Sequence, residues 1–286
     1  MNEIRLSIPI KTDQKRLFEL LIDPKPLSVW FAEHADVSID EDRYNFWGKY
    51  TPDNPREKEG QHKITAFEHN RMLSFEWKLR GAFTLVEYML TPWDEGCVFH
   101  MRHSGLPKPH PNKASIGDFW THVLEGFRSW IEHGRSYELI NYGDIPRGDV
   151  ELAIEIAAKP EEVYQALTDP AQLDRWISAA AKIDPRPGGT IDYGWGGGPV
   201  KILDVDPGKK LSYTWQWENE PETVTTWELE GSSGGTHLTV VQSGFAPDRD
   251  SGDYYSGWHK YINRLKSMLE QGSDWKKVAV ESKEWV

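Results

Sequence analysis

The sequence predicts an α+β protein built as two tandem domains, each a curved antiparallel sheet wrapped around a long C-terminal helix. Three observations predict it. The first is a duplication: LIDPKPLSVWF (Leu21–Phe31) returns as LTDPAQLDRWI (Leu167–Ile177), 146 positions later, and Asp23/Asp169, Pro24/Pro170, Leu27/Leu173 and Trp30/Trp176 coincide. LSFEW (Leu73–Trp77) likewise returns as LSYTW (Leu211–Trp215), and Ser104-Gly105-Leu106 as Ser243-Gly244-Phe245. A repeat this long is the size of a whole domain rather than of a solenoid unit. The second observation is strict alternation at the start of each copy, and the third is a helical period at the end of each.

Taken in order, Ile4, Leu6, Ile8 and Ile10 face one way in copy one, and Val150, Leu152, Ile154 and Ile156 do so in copy two, which describes a half-buried strand. A short helix follows, opened by Thr12-Asp13 and by Lys159-Pro160-Glu161-Glu162, with Leu17, Leu20, Leu21 and Val163, Ala166, Leu167 at helical spacing. Asp-Pro then stops it, because the residue before proline is pushed out of the helical region. Copy two next shows turn signals at Pro187–Gly189, Tyr193–Pro199, Asp206–Lys210, Glu218–Glu222 and Gly231–Gly235. The runs between them, such as Leu211–Trp217, Thr223–Glu230 and Thr236–Ser243, have strand length, so a meander is expected.

The closing helix is expected at about 116–133 and 254–271. Trp120, Val123, Leu124, Phe127, Trp130 and Ile131 in copy one, and Trp258, Tyr261, Ile262, Leu265, Met268 and Leu269 in copy two, share one spacing. Gly134 and Gly272 supply the stops. A sheet with one apolar face must be covered, and the longest helix is the natural cover. The boundaries expected are 1–134 for copy one, 135–148 for a polar linker, 149–272 for copy two and 273–286 for a tail. Trp275 and Trp285 suggest that the tail docks on a surface.

Composition narrows the function. The longest apolar stretches are only a few residues, so no membrane span is expected. The first residues lack a leader pattern, and the single cysteine, Cys97, suits a reducing cytoplasm. Net charge is −12, with 19 basic and 22 acidic residues in 1–148 (−3) and 14 and 23 in 149–286 (−9). Neither half has a basic stripe, which argues against nucleic acid or an anionic membrane as partner. The outlier is tryptophan, 14 of 286 residues, a side chain that lines apolar pockets as well as cores.

The order strand, helix, DPxxLxxW, GG-turn strand, LxYxW, a T-x-L-x-V strand ending in Ser-Gly, then W-x-x-x-L/I-x-x-L, resembles the SRPBCC (START-like, helix-grip) superfamily. Within it the chain resembles the family named for the C-terminal domain of the activator of heat-shock-protein-90 ATPase, over roughly 2–134 and 149–272. Copy two follows the pattern more fully, whereas YTPDNPREKE (Tyr50–Glu59) in copy one replaces the family's short glycine turn. The resemblance implies a cavity between sheet and helix. It also implies a choice among lipid or hormone binding, cyclase-like or hydrolase-like chemistry, and chaperone regulation.

Alternation gives the residues expected on the concave face. In copy one they are Phe75, Trp77, Tyr88, Leu90, Phe99, Met101 and His103; in copy two, Tyr213, Trp215, Trp227, Leu229, Leu238, Val240 and Gln242. The candidate ligand-binding set joins Phe75, Trp77, Tyr88, Met101, His103 and Trp120 with Tyr213, Trp215, Trp227, Leu229, Val240, Gln242 and Trp258. His103 and Gln242 share one position; each would anchor a ligand's polar end or bond to the loop before the last helix. Trp30/Trp176 and Trp120/Trp258 are expected as core anchors at the two ends of the cavity.

Copy one holds eight of the ten histidines, but their spacings match no zinc site, and His100 and His103 point to opposite faces of one strand. The glycines Gly194, Gly196, Gly197 and Gly198 open no helix and lack a following Lys-Ser/Thr, so a hairpin explains them better than a phosphate loop. No strand carboxylate is shared: Glu76 aligns with Thr214, Glu87 with Thr226 and Asp118 with Ser256. No catalytic residue, metal or cofactor is therefore expected. The sequence favours a cytoplasmic binder of a small apolar or aromatic molecule over an enzyme. The first alternative is a protein-interaction module with a chaperone or other protein partner, and the second a cyclase- or hydrolase-like enzyme.

Overall fold

The computed structural model describes residues 3–110, 112–217 and 220–280. Trp285 and residues 218 and 219 of the turn expected at Glu218–Glu222 lie outside them. The chain divides between Ile145 and Pro146 into two compact units, and residues 278–280 belong with the first.

Unit one contains strands β1 (Glu3–Ile10), β2 (His34–Ser38), β3 (Arg43–Trp47), β4 (Ile64–Glu68), β5 (Met72–Leu79), β6 (Ala82–Trp93) and β7 (Gly96–Ser104) and helices α1 (Gln14–Ile22), α2 (Pro24–Trp30) and α3 (Ile116–His133). Unit two contains β8 (Val150–Ile156), β9 (Lys182–Ile183), β10 (Thr190–Asp192), β11 (Val200–Asp206), β12 (Lys210–Trp215), β13 (Thr223–Ser232) and β14 (Gly235–Ser243), with α4 (Pro160–Thr168), α5 (Pro170–Trp176) and α6 (Gly252–Gln271). The last strand, β15 (Ala279–Val280), joins unit one by pairing with β1 at Leu6 and Ser7.

All ladders are antiparallel. Unit two is one seven-stranded sheet in the order β8-β14-β13-β12-β11-β10-β9. Unit one splits the same plan into β15-β1-β7-β6-β5-β4 and a separate β2-β3 hairpin. The Tyr50–Glu59 insertion falls between β3 and β4, where pairing survives as an Arg43–Lys63 bridge and isolated bonds, from Tyr44 N to His62 O and Phe46 N to Gly60 O, both 3.1 Å, and from Ile64 N to Asp42 O, 2.8 Å. Even the bulge is duplicated, between Ile64 and Ala66 and between Ile202 and Asp204.

The helical half of each unit differs from expectation in one respect. Asp-Pro ends the first short helix, but a second helix starts at once with proline at its first turn. Asp23 and Asp169 serve both, as C-cap of one helix and N-cap of the next, and their carboxylates accept the backbone N–H of Lys25 and Gln172, each at 2.9 Å. The fixed φ of proline suits the first helical position, so the residue pair that stops one helix also nucleates its successor. Trp30 and Trp176 close these second helices and are buried.

The closing helices run Ile116–His133 and Gly252–Gln271, and their apolar faces lie in the cores. Ile4, Leu6, Ile8 and Ile10 are at most 1% exposed, whereas in unit two only Val150 and Ile156 of the matching set are buried and Leu152 and Ile154 are half-buried. Residues 135–148 are more than a polar tether. Tyr137, Ile140 and Tyr142 are buried, and the Tyr137 side chain lies against Gly126 so closely that a Cβ there would meet it at 2.9 Å. Trp275 is buried in the core of unit two.

Candidate functional site

The residues expected on the concave faces are all buried: Phe75, Trp77, Tyr88, Leu90, Phe99, Met101 and His103 in unit one, and Tyr213, Trp215, Trp227, Leu229, Leu238, Val240 and Gln242 in unit two. Trp120 and Trp258 complete each set from the closing helix. What they face differs between the units.

His103 and Gln242 occupy the same node of one hydrogen-bonded relay. The indole of Trp120 donates to His103 Nδ1 at 2.9 Å, so the other ring nitrogen carries the proton and donates to Thr84 Oγ1 at 2.7 Å. The Thr84 hydroxyl then donates to the Trp77 carbonyl at 2.7 Å. In unit two the Trp258 indole donates to Gln242 Oε1 at 2.7 Å, the Gln242 amide to Thr223 Oγ1 at 2.9 Å, and that hydroxyl to the Trp215 carbonyl at 3.2 Å. Imidazole and carboxamide are interchangeable here because each offers an acceptor at one end and a donor at the other. The partners are thus a helix tryptophan and a strand threonine, not the loop before the helix. Burial holds the His103 imidazole down to about 3, and hence neutral.

In unit one, aromatic rings occupy the concavity. Phe31 stacks on Trp120 with centroids 5.6 Å apart and lies 5.7 Å from Phe119 and 4.8 Å from Phe46; Trp77 stacks on His103 at 5.2 Å. Phe75 and Tyr88 sit edge-to-face at 5.4 Å behind them. Trp30 stacks on Phe127 at 4.2 Å.

In unit two the deep part is also filled and bonded. The Trp227 indole and the Tyr193 hydroxyl both reach the Tyr213 hydroxyl, at 3.1 and 2.9 Å, and burial pushes the Tyr213 phenol up to about 12. At the mouth, however, a shallow groove, half open to solvent, is lined by Asp192, Tyr193, Trp195, Gly197, Gly198, Val200, Trp215, Gln216 and Trp217. Trp195 is held by its indole bond to the Ile177 carbonyl (3.2 Å) and by stacking between Tyr193 (5.0 Å) and Tyr261 (5.8 Å). Trp215 donates to the Tyr254 hydroxyl (3.2 Å), which donates in turn to Glu220 Oε2 (2.6 Å).

The glycine run builds this rim. Gly194 has φ +72°, and a Cβ there would lie 2.0 Å from the Ala179 carbonyl oxygen. A Cβ on Gly197 would lie 2.9 Å from the Trp217 ring. Glycine is required at the first to turn the chain and at the second to seat the indole.

Of the expected set, only Trp215 lines the groove. The other expected residues of unit two, Tyr213, Trp227, Leu229, Val240, Gln242 and Trp258, form its floor or the core behind it. Sequence reasoning missed Tyr193, Trp195, Gln216 and Trp217. The signal was present: Trp217 stands where copy one has Leu79, and Trp195 lies in a glycine run that copy one lacks.

Two further histidines of unit one hydrogen-bond within it. His100 lies on the outer side of the sheet, its ring nitrogens 2.7 Å from Ser7 Oγ and 2.9 Å from Thr91 Oγ1. His122 is buried, with its Nε2 2.8 Å from the Glu138 carbonyl.

Several known proteins are similar to this chain. A structure from Mesorhizobium loti is 32% identical, covering 44% of this chain and 98% of its own, with a TM-score of 0.39. The solution structure of the Aha1 dimer from Colwellia psychrerythraea is 24% identical over 44% of this chain and 98% of its own, with a TM-score of 0.38. DynU16, from the dynemicin biosynthetic locus, is 14% identical but covers 94% of this chain and 99% of its own, with a TM-score of 0.37. An uncharacterized protein of Schizosaccharomyces pombe is 24% identical over 145 residues, 50% of this chain, and the match spans 41% of that relative's length. The sequence profile described as Activator of Hsp90 ATPase homolog 1-like protein matches residues 11–132 and again 157–270, so the chain belongs to that family and carries its domain twice.

Proposed function

We propose that unit two binds a small apolar or aromatic molecule, without chemistry, in the groove at the mouth of its sheet. One difference between equivalent positions carries this reading. In unit one, Phe119 lies 5.7 Å from Trp77 and from Phe31. Its counterpart beside Trp258 is Gly257, where an added Cβ would meet nothing within 4 Å, and the counterpart of Phe31 is Ile177. Unit two therefore lacks these two rings, and Trp215, the counterpart of Trp77, is buried among other rings with part of its side chain on the groove. Apolar lining with a few fixed polar groups is the usual make-up of a small-molecule site. A cytoplasmic setting, in which Cys97 stays reduced, fits this reading.

The neutral dye N-phenyl-1-naphthylamine tests it. The wild-type chain should bind saturably and brighten the dye. Gly257→Phe should weaken binding by about tenfold or more, the equivalent of ~1.4 kcal/mol of lost contact. Trp217→Ala, at a rim position 38% exposed, should weaken it without a loss of fold. Unsaturable binding, or equal affinity in all three proteins, would refute the reading. A second reading applies to unit one, whose concavity is filled by Phe31, Phe46, Trp77, Phe119 and Trp120: such a domain suits contact with a protein partner, a chaperone among them, better than uptake of a small molecule.

A further inference from the structure

We infer that the unit-two groove selects a cationic head, an alkylated ammonium, over a neutral group of the same shape; the inference rests on the proposed function and narrows it. The face of an indole carries negative electrostatic potential, and desolvated cations within about 6 Å of a ring centroid are held by it. Three indoles converge here. Trp215 and Trp217 meet at 6.1 Å and 83°, a walled corner rather than a flat stack, and Trp195, whose faces are covered by Tyr193 and Tyr261, borders it 5.8 Å from Trp215. The walls are fixed in advance. Trp217 rests on Gly197, Trp195 is held in the Tyr193–Tyr261 stack, and Trp215 is held by Tyr254. Pre-set rings lose little freedom on binding, which favours the ligand.

The charge around the corner has the matching sign. Neither Asp192–Val200 nor Tyr213–Trp217, the segments that line the groove, contains a lysine or arginine. Asp192 is on the lining, and Glu220 reaches it through Tyr254 and Trp215. Cations stand nearby but outside the lining, Lys260 among them, its Nζ 4.2 Å from the centre of the Tyr261 ring. Arg249 is committed to Asp253 at 2.8 Å and to Glu220 at 3.6 Å, Lys182 is the ladder partner of Asp192, and Lys201 follows Val200 opposite Thr190 on the neighbouring strand. No positively charged side chain stands in the lining, and its one charged group is the Asp192 carboxylate. Unit one lacks this corner, with Leu79 at the position of Trp217.

Phenyltrimethylammonium and its neutral isostere tert-butylbenzene, each competing against N-phenyl-1-naphthylamine on the full chain, test the inference. The cation should displace the dye about tenfold more effectively. Trp217→Leu, which keeps the apolar wall and removes the ring, should shrink that preference while the neutral compound binds as before. If the dye binds but the cation does no better than its isostere, or if the preference survives Trp217→Leu, the inference is overturned and the binding role of the groove stands. If the dye itself does not bind, both fall.

Discussion

Trp120→Ala should lower the stability of unit one by roughly 3–5 kcal/mol, and Trp258→Ala should do the same to unit two. Each indole is almost wholly buried, at 0% and 4% exposure, and packs against several rings, Phe31, Trp77 and Tyr88 in one unit and Trp215 and Trp227 in the other. Removing it leaves a void and strands a buried acceptor, His103 Nδ1 or Gln242 Oε1, at a further cost of about 1–3 kcal/mol where water cannot enter. Trp→Phe variants should recover most of the packing but not the relay. Amide hydrogen exchange read by mass spectrometry assigns the loss to one unit or the other. A loss under about 1 kcal/mol would mean that the relay and its ring cluster do not organise the core.

Unit one should also be the more acid-sensitive half. His62 and His103 are buried and neutral, their imidazoles held down by burial to about 4 and about 3, against about 6.5 in the unfolded chain. Because the unfolded chain takes up these protons first, their contribution is intact above about pH 6.5 and is lost as the pH falls toward the folded values. At about pH 5 each should cost on the order of 2 kcal/mol. Glu3, Glu33 and Glu59, held low mainly by hydrogen bonds from Arg102, the Lys49 backbone and Arg56, also lose stabilisation in acid, but they are half-buried or exposed and act at lower pH. His103→Gln separates the two effects: it copies Gln242, keeps an acceptor for Trp120 and a donor for Thr84, and does not titrate. Its unfolding profile in unit one should flatten by about 2 kcal/mol between about pH 7 and 5. An unchanged profile would show that His103 does not titrate on unfolding.

Much of this architecture was legible because the chain carries its own internal control. The fourteen strand residues chosen by alternation, from Phe75 to Gln242, are all buried, since side-chain direction on a strand is fixed by parity, but strands outside the reading add Tyr44, Phe46, Ile191 and Ile202 to the core. The closing helix of unit one ran as read, and that of unit two began two residues earlier, at Gly252. The second short helix was not legible, because Asp-Pro signals a helix end without saying that the same aspartate caps the next one. Linker 135–148 looked polar, yet Tyr137, Ile140 and Tyr142 pack inward; three apolar residues in an irregular stretch carry no period. The site was half legible. Depth was read from parity, which selects buried strand residues, whereas the groove is lined largely by Tyr193–Val200 and Gln216–Trp217, where alternation gives no guide; in the proposed reading, Gly257 in place of Phe119 is what leaves it open. A missing ring leaves no pattern in one copy alone and shows only when equivalent positions are compared in three dimensions.

The indole N–H signals of the tryptophans, followed in a proton–nitrogen correlation spectrum during titration with N-phenyl-1-naphthylamine, test the central claim most directly. The signals of Trp195, Trp215 and Trp217 should shift together and saturate, while those of Trp30, Trp77 and Trp120 in unit one stay in place. Equal movement of Trp77 and Trp120, or drift of all signals without saturation, would contradict a ligand groove confined to unit two.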